Sequence, residues 1–127
     1  MDQLVSRMLK EKVWAVVGAS ANPQKYGYKV YKRLLTEGYK VFAVNPNCKE
    51  IEGDPCYNSL RDLSELPGAV SVIVPPVVGL NVLEQAAQQR IKRLWFQPGA
   101  ESNEIIEKAG GLNLEIAYNR CVLVELG

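Results

Sequence analysis

Four short apolar runs, each cut off by glycine, proline or asparagine, limit what this chain can become. Val13–Val17 stops at Gly18, Val41–Val44 at Asn45-Pro46-Asn47, Val70–Val74 at Pro75-Pro76, and Leu94–Phe96 at Gln97-Pro98-Gly99. Runs of this length, apolar on both sides, suit strands buried on both faces. Between them the period changes to that of a helix. Tyr28–Glu37 places Val30, Leu34 and Leu35 on one face, with Gly38 where helices often end in a left-handed residue. Val77–Arg90 turns Leu83, Ala86 and Ala87 inward. Leu4, Val5, Met8 and Leu9 predict a short amphipathic helix at the start, and Ser102 caps a helix that ends at Gly110-Gly111. Asn58–Leu66 predicts one or two helical turns carrying Leu60, Leu63 and Leu66. Leu114–Ala117 is a fifth strand and Val122–Leu126 a short sixth. Strands that alternate with helices make a parallel sheet covered on both faces. The expectation is one α/β domain over residues 1–127, doubly wound, with a mostly parallel sheet of five or six strands.

The totals narrow the function. Fifteen lysines and arginines against 14 acidic residues leave a net charge of +1, which argues against a nucleic-acid footprint or an electrostatic membrane anchor. The longest apolar stretch, Val70–Leu80, is broken by two prolines and too short to span a bilayer. Met1–Lys12 is mixed in charge, unlike a secretory segment, and three cysteines without metal spacing suit a reducing, cytoplasmic setting. There is no histidine, which removes histidine-based triads, phosphohistidine transfer and most catalytic zinc sites.

Ligands of such sheets bind beyond the carboxyl ends of the strands, near the topological switch. That directs attention to the loops Gly18–Gly27, Asn45–Lys49, Val74–Val77 and Gln97–Ala100. In the first, Gly18 lets the chain turn close to an anion, Ser20 can donate a hydroxyl bond, Lys25 can add charge, and the amides of the helix that follows can face a phosphate. The spacing is not the G-x-G-x-x-G of dinucleotide folds. Nor does an acidic residue close the second strand to hold a ribose hydroxyl; Val44-Asn45-Pro46 stands there, followed by Lys49. A lysine there suits a ligand with an extra ribose phosphate, and both NADP and coenzyme A meet that requirement.

Gly18-Ala19-Ser20 with Asn22-Pro23, then Val44-Asn45-Pro46, Val74-Pro75-Pro76, Gln97-Pro98-Gly99 and Asn119-Arg120-Cys121, resemble the small single-domain CoA-binding proteins. That family is similar to the N-terminal CoA-binding domain of the succinyl-CoA synthetase α subunit. The resemblance implies a Rossmann-like domain that binds coenzyme A or acyl-CoA across the strand ends. It would put Gly18, Ala19 and Ser20 at the pyrophosphate, Asn45 and Pro46 beside the adenosine, and Lys49 near the ribose phosphate. Val74, Pro75 and Pro76 would wall the nucleotide, pantetheine would pass Gln97, Pro98 and Gly99, and Lys25 matches a position that is basic in many relatives. The larger synthetases transfer phosphate through a histidine and a separate nucleotide-grasp module, neither of which this sequence contains. The resemblance therefore supplies a ligand without a reaction. Arg120 beside Cys121 raises the idea of a reactive thiol that could form a mixed disulfide with CoA, against the simpler reading of a small buried residue. Two other readings stand beside it: an NAD(P)-binding regulator or redox sensor, and a small enzyme using Glu101 or Glu104 as a base.

Overall fold

The computed structural model describes all 127 residues. Strand β1 (Val13–Val17) lies mid-sheet because it is apolar on both sides: Trp14 and Val16 enter one buried layer, Ala15 and Val17 the other. It pairs in parallel with β2 (Lys40–Val44), and on its other side with β5 (Ala69–Val72). Parallel pairing continues from β5 to β6 (Arg93–Phe96) and β7 (Glu115–Ala117), and from β2 to β4 (Asp54–Tyr57). Only β3 (Glu50–Ile51) runs antiparallel, against β4. The order is β3-β4-β2-β1-β5-β6-β7, so the chain reverses its direction of travel between β1 and β5. In register, Val17 pairs with both Val44 and Val72, and Val72 with Phe96, so four strands end level.

Helices α1 (Asp2–Leu9), α2 (Tyr26–Thr36) and α5 (Val122–Glu125) cover the face that holds Trp14 and Trp95. Helices α3 (Pro76–Gln88) and α4 (Asn103–Gly111) cover the other, where Leu83, Ala86, Ile105 and Ala109 meet Val70, Leu94 and Phe96. The doubly wound α/β fold expected from the sequence is the one observed. Ser102 Oγ accepts the Ile105 amide at 3.2 Å, the expected cap, and Gly38 has φ +96°.

Two details differ. Val122–Leu126 is no sixth strand. Val122 is buried beneath Trp95 and Ala117, and Leu126, four residues on, packs in the same layer, so helical spacing seals the sheet's end. The sheet instead gains β3 and β4, joined by the two-residue turn Glu52-Gly53 with φ +50° and +91°, the conformation that matches strand twist in a tight hairpin. Asn58–Leu66 holds a single 3-10 turn, Leu60–Asp62, with Leu60 buried and Leu66 exposed.

Candidate ligand-binding cleft

The site begins with two close approaches. Gly18 leaves β1 at φ +96°, and a Cβ there would lie 2.2 Å from the Ile73 carbonyl oxygen. A Cβ on Gly27, in the first turn of α2, would lie 2.0 Å from the Gly18 oxygen. Only hydrogen fits at either position, so the helix start rests directly on the first loop. The amides of Ala19, Ser20, Ala21, Tyr26, Gly27 and Tyr28 donate to no other protein group. They form a rim of free donors at the positive end of a helix, the arrangement that binds phosphate. The loop holds its own shape: Ser20 Oγ accepts the Asn22 amide at 3.1 Å, and Asn22 Oδ1 accepts the Gln24 amide at 2.9 Å. The Ser20 hydroxyl hydrogen stays available to a ligand.

Asn45 ties this loop to the next. Its Nδ2 donates to the Ala19 carbonyl at 2.9 Å, its Oδ1 accepts the Asn47 amide at 2.9 Å, and its own amide donates to the Tyr57 carbonyl at 2.8 Å. The end of β2, which carries an acid in dinucleotide folds, thus carries a neutral brace.

Beyond the rim, a cleft of about 650 Å³ opens between the loops that follow β5 and β6. Val74, Pro75 and Pro76 form one wall, Pro98, Gly99 and Ala100 another, and Tyr26 and Cys121 line it with Gln97. The size and largely apolar lining suit a small organic ligand. Gln97 is buried with each polar atom engaged: Nε2 donates to Ser71 Oγ at 3.2 Å, while Oε1 accepts Tyr26 O–H at 3.3 Å and the Val122 amide at 3.2 Å. It therefore binds β5, β6, α2 and α5 together under the cleft floor. The Tyr26 hydroxyl also contacts Cys121 Sγ. Burial first, then that contact, pushes the phenol well above its ordinary range, so Tyr26 is a neutral donor and not a base. Arg120 pairs with Asp2 and Glu125, which takes its charge to two carboxylates and not to the neighbouring Cys121 thiol.

A smaller cavity of about 120 Å³ lies across Gly18 and Val74, lined among others by Asn45, Pro46, Asn58 and Asn81. Gly18, Asn45, Pro46 and Val74 therefore meet in one depression, and Val74, Pro75, Pro76, Gln97, Pro98 and Gly99 in the other. Ala19 is buried in the core and offers only its backbone, while Ser20 stays half-exposed on the loop. Lys25, at the N-cap of α2, and Lys49 are exposed and line neither cavity. Sequence reasoning missed Tyr26, because the helix was expected to start at Tyr28, and it missed Ile73, Asn58, Asn81 and Gln85. An asparagine flanking a strand end is the one signal that could have found Asn58; Asn81 lies within α3.

A family model described as a CoA binding domain matches residues 12–127. The chain belongs to the CoA-binding domain family. The α subunit of acetate–CoA ligase [ADP-forming] II from Pyrococcus furiosus is 30% identical over 122 residues, covering 85% of this chain and 26% of that protein. Among solved structures, a conserved hypothetical protein from Pyrococcus furiosus is 46% identical with a TM-score of 0.86, covering 90% of this chain and 98% of its own. A hypothetical protein from Pyrococcus horikoshii OT3 is 34% identical with a TM-score of 0.91, covering 99% and 92%. The CoA-binding chain described here spans only 11% to 26% of the acetate–CoA ligases it matches. No helix of this CoA-binding domain is long and apolar enough to cross a membrane.

Proposed function

We propose that the chain binds coenzyme A or an acyl-CoA along the carboxyl edge of its sheet, in the cytoplasm, without transforming it. The observation that carries this reading is a rim of unpaired amides above Gly18 that leads directly into an apolar cleft. A ligand with a pyrophosphate at its middle and a long, weakly polar arm matches that sequence of environments. In this reading the pyrophosphate sits on the amides from Ala19 to Tyr28. The adenosine lies toward Asn45 and Pro46, and the arm passes Gln97 and Pro98 toward Cys121. Tyr26 and Gln97 act as fixed hydrogen-bonding groups, and the cleft offers them no charged partner with which to move a proton. Glu101 accepts the Gly99 amide at 3.2 Å and Glu104 is exposed in the first turn of α4, so neither candidate base lines the cleft. The nicotinamide-cofactor reading loses its usual anchor at Asn45, whose side chain is already engaged by Ala19 and Asn47.

Calorimetric titration distinguishes the two. Coenzyme A should bind with a Kd of about micromolar order, and NADP should give no heat above dilution. NADP binding without CoA binding would overturn the reading.

A further inference from the structure

Two of the three cysteines come together where the sequence keeps them apart. Cys48 follows β2 and Cys56 lies in β4, and both are half-buried against the α2 layer. One carbonyl gathers them: Asn45 O accepts the Cys48 amide at 3.3 Å and Cys56 Sγ at 3.8 Å. The Cys56 amide in turn donates to the Lys49 carbonyl at 2.9 Å, which extends the β3–β4 ladder by one step and brings the two cysteines alongside. Cys48 Sγ lies beside the Cys56 thiol and also reaches the Glu50 carbonyl, at 3.4 Å. No group of three or more histidine, cysteine or acidic side chains is placed to hold a metal ion, so nothing else recruits the two sulfurs.

We infer that Cys48 and Cys56 form a reversible dithiol–disulfide pair that clasps the Asn45–Lys49 loop to β4, with low-molecular-weight disulfides as its oxidant. Burial first, and then the adjacent Cys48 sulfur, push the Cys56 thiol up. Cys48 lies on the loop, whereas Cys56 sits within β4 with its sulfur turned to the Asn45 carbonyl, so the first attack falls to Cys48, which displaces one thiolate from the small disulfide and forms a mixed disulfide. Cys56, losing its proton to solvent as it reacts, attacks the Cys48 sulfur and releases the second small thiol. Two protein thiols are oxidised and one small disulfide is reduced to two thiols. The clasp restrains the segment that carries Asn45 and Pro46, and its chemistry is independent of what the cleft binds. Cys121, at the cleft's far end beside Tyr26, takes no part.

The test uses the full chain with glutathione disulfide, followed by alkylation and non-reducing peptide mapping. The expected result is a peptide linked through Cys48 and Cys56 with Cys121 still alkylated, and a higher melting temperature than the dithiothreitol-treated protein. C56S should trap glutathione on Cys48, whereas C48S should leave Cys56 unmodified. Free, alkylatable Cys48 and Cys56 after oxidation, or a bridge that includes Cys121, would overturn the inference. So would glutathione trapped on Cys56 in preference to Cys48. C121S should keep both the linked peptide and the melting shift; loss of the shift in that variant counts against the pair.

Discussion

The inner half of the carboxyl edge, where β1 meets β5 and β6, differs in construction from the outer half, where β2 meets the β3–β4 hairpin. On the inner side the contacts have no slack: Gly18 and Gly27 admit no Cβ, and Gln97 is buried with every polar atom engaged. On the outer side Ile51 is buried, but the polar contacts of the hairpin turn are surface ones. Glu52 in the hairpin turn accepts Tyr28 O–H at 2.5 Å and pairs with Lys32 at 2.7 Å, and both charged groups are well exposed. Exposed pairs of this kind contribute about 1 kcal/mol or less, whereas a backbone forced off its path costs several times that. The inner half therefore sets shape, and under the proposed function the outer half would tune affinity. Substitutions should reveal the division by whether stability and binding fail together.

The largest effect is expected at Gly18. Alanine there meets the Ile73 oxygen and must also hold φ +96°, so Gly18→Ala should lose about 3 kcal/mol or more in denaturant titration, together with CoA binding. Gly99 is the control on the opposite wall. It has φ +92° but open space around a Cβ, and Gly99→Ala should lose only about 1 kcal/mol. Equal losses would mean that backbone conformation, and not close approach, rules the first loop.

Gln97→Leu comes next. The leucine fills similar space but leaves the Val122 amide and Ser71 hydroxyl without their partner, at a cost of about 2 kcal/mol. Binding should weaken as well, because Tyr26 loses the group that orients its hydroxyl. A fully stable variant would show that α5 is held by packing alone.

Alkaline pH tests the junction between the halves. Tyr31 on α2 is buried and donates to Asp54 of β4 at 3.2 Å, and burial, followed by the Asp54 charge, raises its phenol well above the ordinary value of 10.0. The unfolded chain releases that proton near pH 10 while the folded chain retains it, so the folded state binds more protons and stability falls as pH rises. The contribution is complete below that pH and is lost above it. Denaturation midpoints at pH 9 and pH 11 should therefore drop further for the wild type than for Tyr31→Phe. Equal drops would remove Tyr31 from the alkaline limb.

The same division explains what the sequence disclosed. The inner half was legible because its strands are apolar runs that end in glycine or proline, and Gly18, Pro75 and Pro98 mark the turns by residue type alone. The outer hairpin was hidden. Its strands are two and four residues long, one contains Pro55, and its turn places a glutamate at φ +50°, where glycine or asparagine is the usual signal. Gln97 was legible as a loop residue but not as a buried brace, because its three partners come from segments up to 71 residues away. Val122–Leu126 misled for a similar reason. Five residues with four apolar side chains fit either period, and only the edge position of β7 and the buried Val122 decide for a helix.

Lys49 carries the smallest and most specific expectation. It is exposed beside the outer hairpin and lines neither cavity, so it touches the ligand only if the adenosine end projects past Pro46. An exposed lysine–phosphate pair is worth about 1 kcal/mol, or roughly fivefold in Kd. Lys49→Ala should weaken CoA binding by about that factor and leave dephospho-CoA binding unchanged, and the gap between the two ligands should shrink as salt is raised. The comparison works as a double-mutant cycle with the ligand phosphate as one partner: a lysine acting only through general charge would weaken both ligands alike. If CoA binds equally well to both proteins, the ribose phosphate lies elsewhere. The outer half would then contribute neither shape nor charge to binding, which would confine the site to the amides over Gly18 and the cleft beneath Tyr26.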